Sequence, residues 1–178
     1  MDPALLRYFV IEIRQHCRNV EISDDLLGQA LQLSGHRSDH IWYAIGGFLN
    51  SSANISKLFW SSGQGAKNAE ATRSTLRTLF SIKDDSPLAS RKLRNDFEHH
   101  DERLEEWFAA QKGSGQRLQT RVTAPRGEIK PEPVCFQRFY PDELLVANNY
   151  SGNTVYLKEI WIECARLITI ADEFLAKP

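Results

Sequence analysis

"RKLRNDFEHHDERLEEW", residues 91–107, is the most charged stretch of the chain and carries two adjacent histidines. Ser86 followed by Pro87 reads as an N-cap and first helical position. The spacing therefore predicts one long helix over about 87–110, ended by "QKGSGQ" at 111–116. On a wheel at ~100° per residue, Leu93, Phe97, Leu104 and Trp107 form an apolar stripe that includes His100. His99 lies well round from that stripe, one turn beyond Asn95. His100 is thus read as a packed boundary residue and His99 as a polar-facing imidazole. The plainer alternative is a solvated face, whose i,i+4 pairs are worth only ~0.2–0.5 kcal/mol each, and spacing alone does not exclude it.

Helix signals also fill the chain before this stretch. Asp2 and Pro3 open a first helix carrying Leu5, Phe9, Ile11, Ile13 and Cys17. Ser23, with acidic residues after it, predicts the start of a second helix that stops at Gly35. Ser38 and Asp39 open "HIWYAIGGFLNSSANISKLFW", residues 40–60, apolar on more than one side and hence buried. Gly46 and Gly47 each cost ~1 kcal/mol against alanine there, which suits a close crossing by another helix. A further helix is expected over about 66–82.

After residue 117 the pattern changes. "RLQTRVTAP", "VCFQRFY", "LLVANN" and "TVYLKEI" are β-branched and aromatic runs divided by Pro, Gly and Asn. They predict a small β-hairpin or antiparallel sheet over about 117–157, inserted before a C-terminal helix. That last helix, about 157–176, sets Leu157, Ile160, Trp161, Cys164, Leu167, Ile168, Ala171 and Leu175 at helical spacing. The expected architecture is mainly α: one domain over 1–178, an antiparallel helical bundle from about 1–110 and 157–178 with the β insertion between.

Composition narrows the function classes. The 178 residues are 42% hydrophobic and 25% charged, as in globular domains, and the net charge of −1 supplies no global pull toward nucleic acid. No apolar run reaches the ~18–20 residues that span a bilayer, so no membrane partner is expected. "MDPALLRYFV" lacks the basic region and cleavage site of a secretory signal. Three scattered cysteines, Cys17, Cys135 and Cys164, argue against a disulfide framework or a cysteine zinc site and fit the cytoplasm.

"RNDFEH", Arg94 to His99, resembles the signature of HEPN domains, the higher eukaryotes and prokaryotes nucleotide-binding family. That pattern is Arg, four to six residues, then His, with Asn, Asp or His commonly after the Arg. Here Asn95 follows Arg94 and four residues precede His99. The resemblance covers roughly residues 1–110 and the last helix. It implies a HEPN-like bundle and a metal-independent endoribonuclease without cofactor, with the toxin of a toxin–antitoxin or defence system, paired with an antitoxin protein, among the roles such a nuclease fills. Arg94, Asn95 and His99 would be its catalytic residues. A ribose 2′-OH attacks the adjacent phosphate; Arg94 stabilises the developing charge, His99 moves the proton and Asn95 orients one of them. Arg94 and His99 diverge by ~140° on an ideal helix, and the resemblance implies a composite cleft at a homodimer interface. The alternative is a non-catalytic HEPN module that dimerises and binds nucleotide or protein.

Lys112, Arg117, Arg121, Arg126 and Lys130 lie close together, opposed only by Glu128. Arg117, Arg121, Arg126 and Lys130 are the candidate RNA-binding residues, because such a run can hold a phosphate backbone. A charge-protected sheet edge would look the same. "EHHD" does not make a metal site, since adjacent helical residues point apart.

Overall fold

The computed structural model describes residues 2–33, 38–60, 66–90 and 99–177, with side chains from Ala69 onward in the third stretch. Its helices are α1 (Pro3–Gln32), α2 (Ser38–Phe59), α3 (Ala66–Leu79), α4 (His100–Gln111) and α5 (Leu157–Leu175). Its strands are β1 (Leu118–Thr123), β2 (Val134–Tyr140), β3 (Leu145–Asn148) and β4 (Asn153–Tyr156). The chain forms two compact units, Met1–Arg91 with Glu159–Pro178, and Lys92–Lys158.

The first unit is helical. Asp2 caps α1, its carboxylate accepting from the Ala4 amide at 2.8 Å, and Pro3 follows at the first turn as the sequence predicts. Val10, Ile13, Cys17, Val20 and Leu27 of α1 are buried, with Ile41, Ile45, Phe48 and Phe59 of α2. Each such side chain removed from water contributes roughly 1.5–3 kcal/mol. Phe59 meets Phe80 in a T-shaped contact at 5.5 Å. Helix α5 runs antiparallel to α1: Arg7 donates to the Leu175 and Lys177 carbonyls, Arg14 reaches Asp172 at 2.5 Å, and Cys164 lies beside Cys17.

Helix α1 continues straight through Ser23, where a second helix was expected to start. The Ser23 hydroxyl donates to the Asn19 carbonyl one turn back at 2.8 Å instead of capping a new helix. Its burial is explained by Gly47 of α2, where an ideal Cβ would lie 2.9 Å from Ser23 Oγ. Glycine at 47 is what lets the two helices come this close.

The second unit combines α4 with a four-stranded sheet in the order β1-β2-β3-β4. β1 runs parallel to β2, with Leu118 opposite Val134, and the other two pairings are antiparallel. From Cys135 to Tyr140 every residue of β2 is buried, so this strand is covered on both faces. The Asn148 side chain accepts from the Tyr150 and Ser151 amides at 3.0 and 3.2 Å and shapes the β3–β4 turn. From α4, His100 and Trp107 both set their rings against Phe136, at centroid distances of 5.4 and 5.7 Å.

The mainly α character agrees with expectation, but the HEPN-like bundle with a small hairpin or antiparallel insertion does not. The four strands form a mixed sheet, and with α4 they belong to a unit of their own. Residues 124–133, ten in all, connect β1 to β2 and contain Pro125, Pro131 and Pro133. That length lets the chain return and run parallel, where a tight turn would have forced a hairpin. The helix expected over 87–110 is not continuous among the described residues, residues 91–98 of that span lying outside them. Pro87–Ala89 is a single 3₁₀ turn that leaves into extended backbone at Ser90, and α4 begins only at His100. Asp101 and Glu102 in the first turn of α4 favour a start there, since the helix dipole welcomes acidic side chains at that end.

Candidate functional site

Arg94 and Asn95 lie outside the described residues, as do Leu93 and Phe97. His99 is described. It occupies the N-cap position of α4 with φ −116° and ψ 34°, and its side chain makes no capping bond. The ~140° divergence read from an ideal helix therefore does not apply, because His99 is not in helical conformation. Its carbonyl accepts from the Arg103 amide at 3.0 Å, which leaves the imidazole standing off the end of the helix. The side chain is half exposed, and Nδ1 lies 3.2 Å from Glu102 Oε2. A carboxylate on Nδ1 keeps the proton on that nitrogen and leaves Nε2 as the one to meet a substrate.

His100 turns the other way. It is half buried, edge-on to Phe136 with ring planes at 63°. Burial pushes its pKa below the ordinary histidine value, and the positive charge of Arg121 pushes it the same way, against a smaller opposite effect of Asp101. Arg121 projects from β1, and its Nε reaches Gln137 Oε1 at 3.4 Å on the neighbouring strand, where the two residues are in register. On the outer side of α4, Arg103 binds Glu106 at 2.9 Å. That bond, joined by one from Tyr150, holds the Glu106 carboxyl below the usual carboxylate range.

The four basic residues expected to bind RNA do not form one row. Arg117 and Lys130 line a cleft of about 480 Å³ with Gln116, Gln119, Ile129 and Pro131. Arg121 stands near His100. Arg126 is engaged elsewhere: its guanidinium binds Glu143 at 2.5 and 3.4 Å and lies 4.3 Å over the Tyr140 ring. Glu132 also lines the Arg117–Lys130 cleft, and its carboxylate reaches the buried Arg138 at 3.1 Å.

Sequence reasoning missed Glu102 and Gln137. Glu102 is three residues after His99, a helical neighbour recognisable once the helix is known to start at His100. The approach of Arg121 to His100 joins residues 21 apart and left no local signal. Among the described residues no three His, Cys, Asp or Glu side chains gather as metal ligands would, and no helix is long and apolar enough to cross a membrane. Comparisons with protein-family models, with curated proteins and with solved structures find no match to this chain.

Proposed function

We propose that the chain is a metal-independent endoribonuclease of the kind that the Arg94–His99 resemblance to the HEPN motif implies, acting on cytoplasmic RNA. The observation that carries this reading is the state of His99: exposed, off the helix end, and held at Nδ1 by Glu102. An imidazole so held is suited to proton transfer through Nε2. In the reaction the 2′-oxygen bonds to phosphorus and the bond to the 5′-oxygen breaks. His99 takes the 2′-OH proton, and water gives one to the departing 5′-oxygen. Arg94 neutralises charge on the five-coordinate phosphorus by a bidentate contact, with Asn95 orienting phosphate or imidazole. Arg117, Lys130 and Arg121 hold the strand, and a second copy completes the cleft. A toxin or defence role, with an antitoxin partner, belongs to the same reading.

The test uses matched RNA and 2′-deoxy oligonucleotides with EDTA present. The expected result is cutting of RNA alone, with 2′,3′-cyclic phosphate ends. His99→Ala lowers the rate ~10²–10⁴-fold, the usual worth of a general acid–base group. Arg94→Lys does not restore activity, since a point charge cannot reproduce the planar fork. Equal cutting of both substrates, or cutting only with added metal, overturns the mechanism. One observation favours a second reading, a non-catalytic binding module: Asp101, Glu102, Glu105 and Glu106 are all exposed within two turns of His99 and repel RNA. No cutting under any condition is the outcome that reading expects.

A further inference from the structure

The cleft beside β1 has more positive charge within reach than its walls display. Arg117 and Lys130 open onto it, and among the described residues no carboxylate pairs with either. Glu132 lines the same cleft, but its carboxylate is turned to Arg138 of β2, with Oε1 3.1 Å from Nη1. The two partners are unequal. The Arg138 side chain is 4% exposed and that of Glu132 59%. Arg138 Nε is buried as well and has no hydrogen-bond partner. A buried guanidinium with one carboxylate contact and an orphaned N–H is incompletely satisfied, and such a group calls for a reason. Glu132 keeps most of its hydration where it stands. An anion of higher charge entering the cleft can therefore displace it at small cost.

We infer that this cleft binds an organic phosphate monoester, with Arg117 and Lys130 receiving the phosphate and Glu132 giving up Arg138 to it. The charge count selects the phosphate. Arg117, Lys130 and Arg138 supply three positive charges and Glu132 one negative, an excess of two. A phosphate monoester carries about −1.5 to −2 near pH 7, whereas each internal phosphodiester of a strand carries about −1. Its three free oxygens also offer a guanidinium more acceptors than the single Glu132 contact does. The rest of the cleft selects the organic part. Ile129, Pro131 and Val134 supply apolar wall, and the volume of about 480 Å³ lies within the ~300–1,000 Å³ of small-ligand sites. A bare phosphate ion would leave most of that wall wet. The 5′ end of an RNA strand and a free small phosphate share this chemistry. The ligand class stands without the ribonuclease reading, and its residues lie outside the helical region that resembles HEPN domains.

The test is calorimetric binding and thermal unfolding of the full chain in phosphate-free buffer with EDTA. One pair of probes is phenyl phosphate and phenol. The other is a 2′-O-methyl oligoribonucleotide with and without a 5′-phosphate, which offers no 2′-OH to attack and stays whole. Phenyl phosphate should bind and raise the unfolding midpoint, and phenol should do neither. If the 5′-phosphorylated strand binds more tightly than both its 5′-hydroxyl counterpart and phenyl phosphate, the ligand is a strand end. If phenyl phosphate binds at least as tightly, the ligand is a free small phosphate. Glu132→Gln removes the competing carboxylate and should tighten phenyl phosphate roughly tenfold, the worth of one charge-assisted hydrogen bond. That variant also deprives Arg138 of its counter-charge, so phenyl phosphate should raise its midpoint more than the parent's. Arg117→Ala with Lys130→Ala, both side chains being exposed, should abolish binding with unchanged circular dichroism. No preference for the phosphorylated member of either pair overturns the inference, as does a Glu132→Gln chain that binds no more tightly than the parent. Should Glu132→Gln fail to fold, undiminished phenyl phosphate binding by the double alanine variant overturns it alone.

Discussion

His100 of α4 meets Phe136 of β2 edge-on, 5.4 Å between ring centroids, while Trp107 two turns further along tilts onto the same ring at 5.7 Å. One aromatic side chain in a strand covered on both faces thus holds the helix at two points. Truncating His100 removes one of them. His100→Ala should lower stability by about 1–3 kcal/mol, and His100→Phe, which keeps a ring at the contact, by less than half as much. Urea unfolding of the three proteins checks this; equal midpoints would show that the contact contributes nothing.

The same histidine gives the fold a pH dependence. Its pKa is depressed in the folded chain by burial and by Arg121, whereas in the unfolded chain it titrates near ~6.5. Below that value the unfolded state binds the proton more readily, so stability is full above ~6.5 and falls as pH drops toward the depressed folded value. Unfolding midpoints measured from pH 7.5 down to 5 should decline, and His100→Phe should flatten the decline across the upper part of that range. A histidine variant that leaves the slope unchanged would assign the effect to other groups.

Ser23 and Gly47 should be coupled. A methyl group at 47 would lie 2.9 Å from Ser23 Oγ and force that hydroxyl off the Asn19 carbonyl. In the native background Gly47→Ala should therefore lose about 1 kcal/mol or more, despite alanine's better helix propensity. In a Ser23→Ala background the obstacle is gone, and Gly47→Ala should stabilise by up to ~1 kcal/mol. A double-mutant cycle by thermal unfolding measures the change of sign. Gly28, where an added Cβ meets nothing within 4 Å, serves as the control: Gly28→Ala should stabilise in either background.

The basic side chains should divide in an RNA retention assay. Arg117 and Lys130 open onto one cleft, while Arg126 is held by Glu143 and Tyr140. Replacing Arg117 and Lys130 together by alanine should weaken binding and reduce the slope of log K against log salt by about 1.4, at ~0.7 per phosphate contact on a single strand. Arg126→Ala should leave that slope unchanged. An equal effect of all three would mean that RNA pulls Arg126 from Glu143.

Much of the helical unit was legible because its signals are local. The Asp2–Pro3 cap, the apolar faces of α2 and α5, and the close crossing at Gly47 each follow from residues close in sequence, whereas Gly46, expected at the same crossing, faces open space. Ser23 misled because a serine followed by two acids is a sound start signal, and only the distant Gly47 explains why the helix runs through it. Parallel pairing of β1 with β2 was hidden for a similar reason, since strand direction depends on how a ten-residue connection returns and not on the strands themselves. At the candidate site, His99 was legible as a type of residue but not as the N-cap of a helix. Its partner Glu102 became visible only with that boundary in place.

The helical unit is interrupted in sequence, and this has a consequence for synthesis. The face of α1 that carries Cys17 and Arg14 is closed by α5, whose residues follow the whole of the sheet-containing unit. Lys92–Lys158 is continuous and can fold as soon as it leaves the ribosome. Helices α1 to α3 are made earlier but must wait, with an uncovered apolar seam, for about seventy more residues at ~5–20 residues per second. For those seconds the nascent chain is a natural client for a chaperone that grips exposed aliphatic side chains, and the order of completion is the reverse of the order of translation.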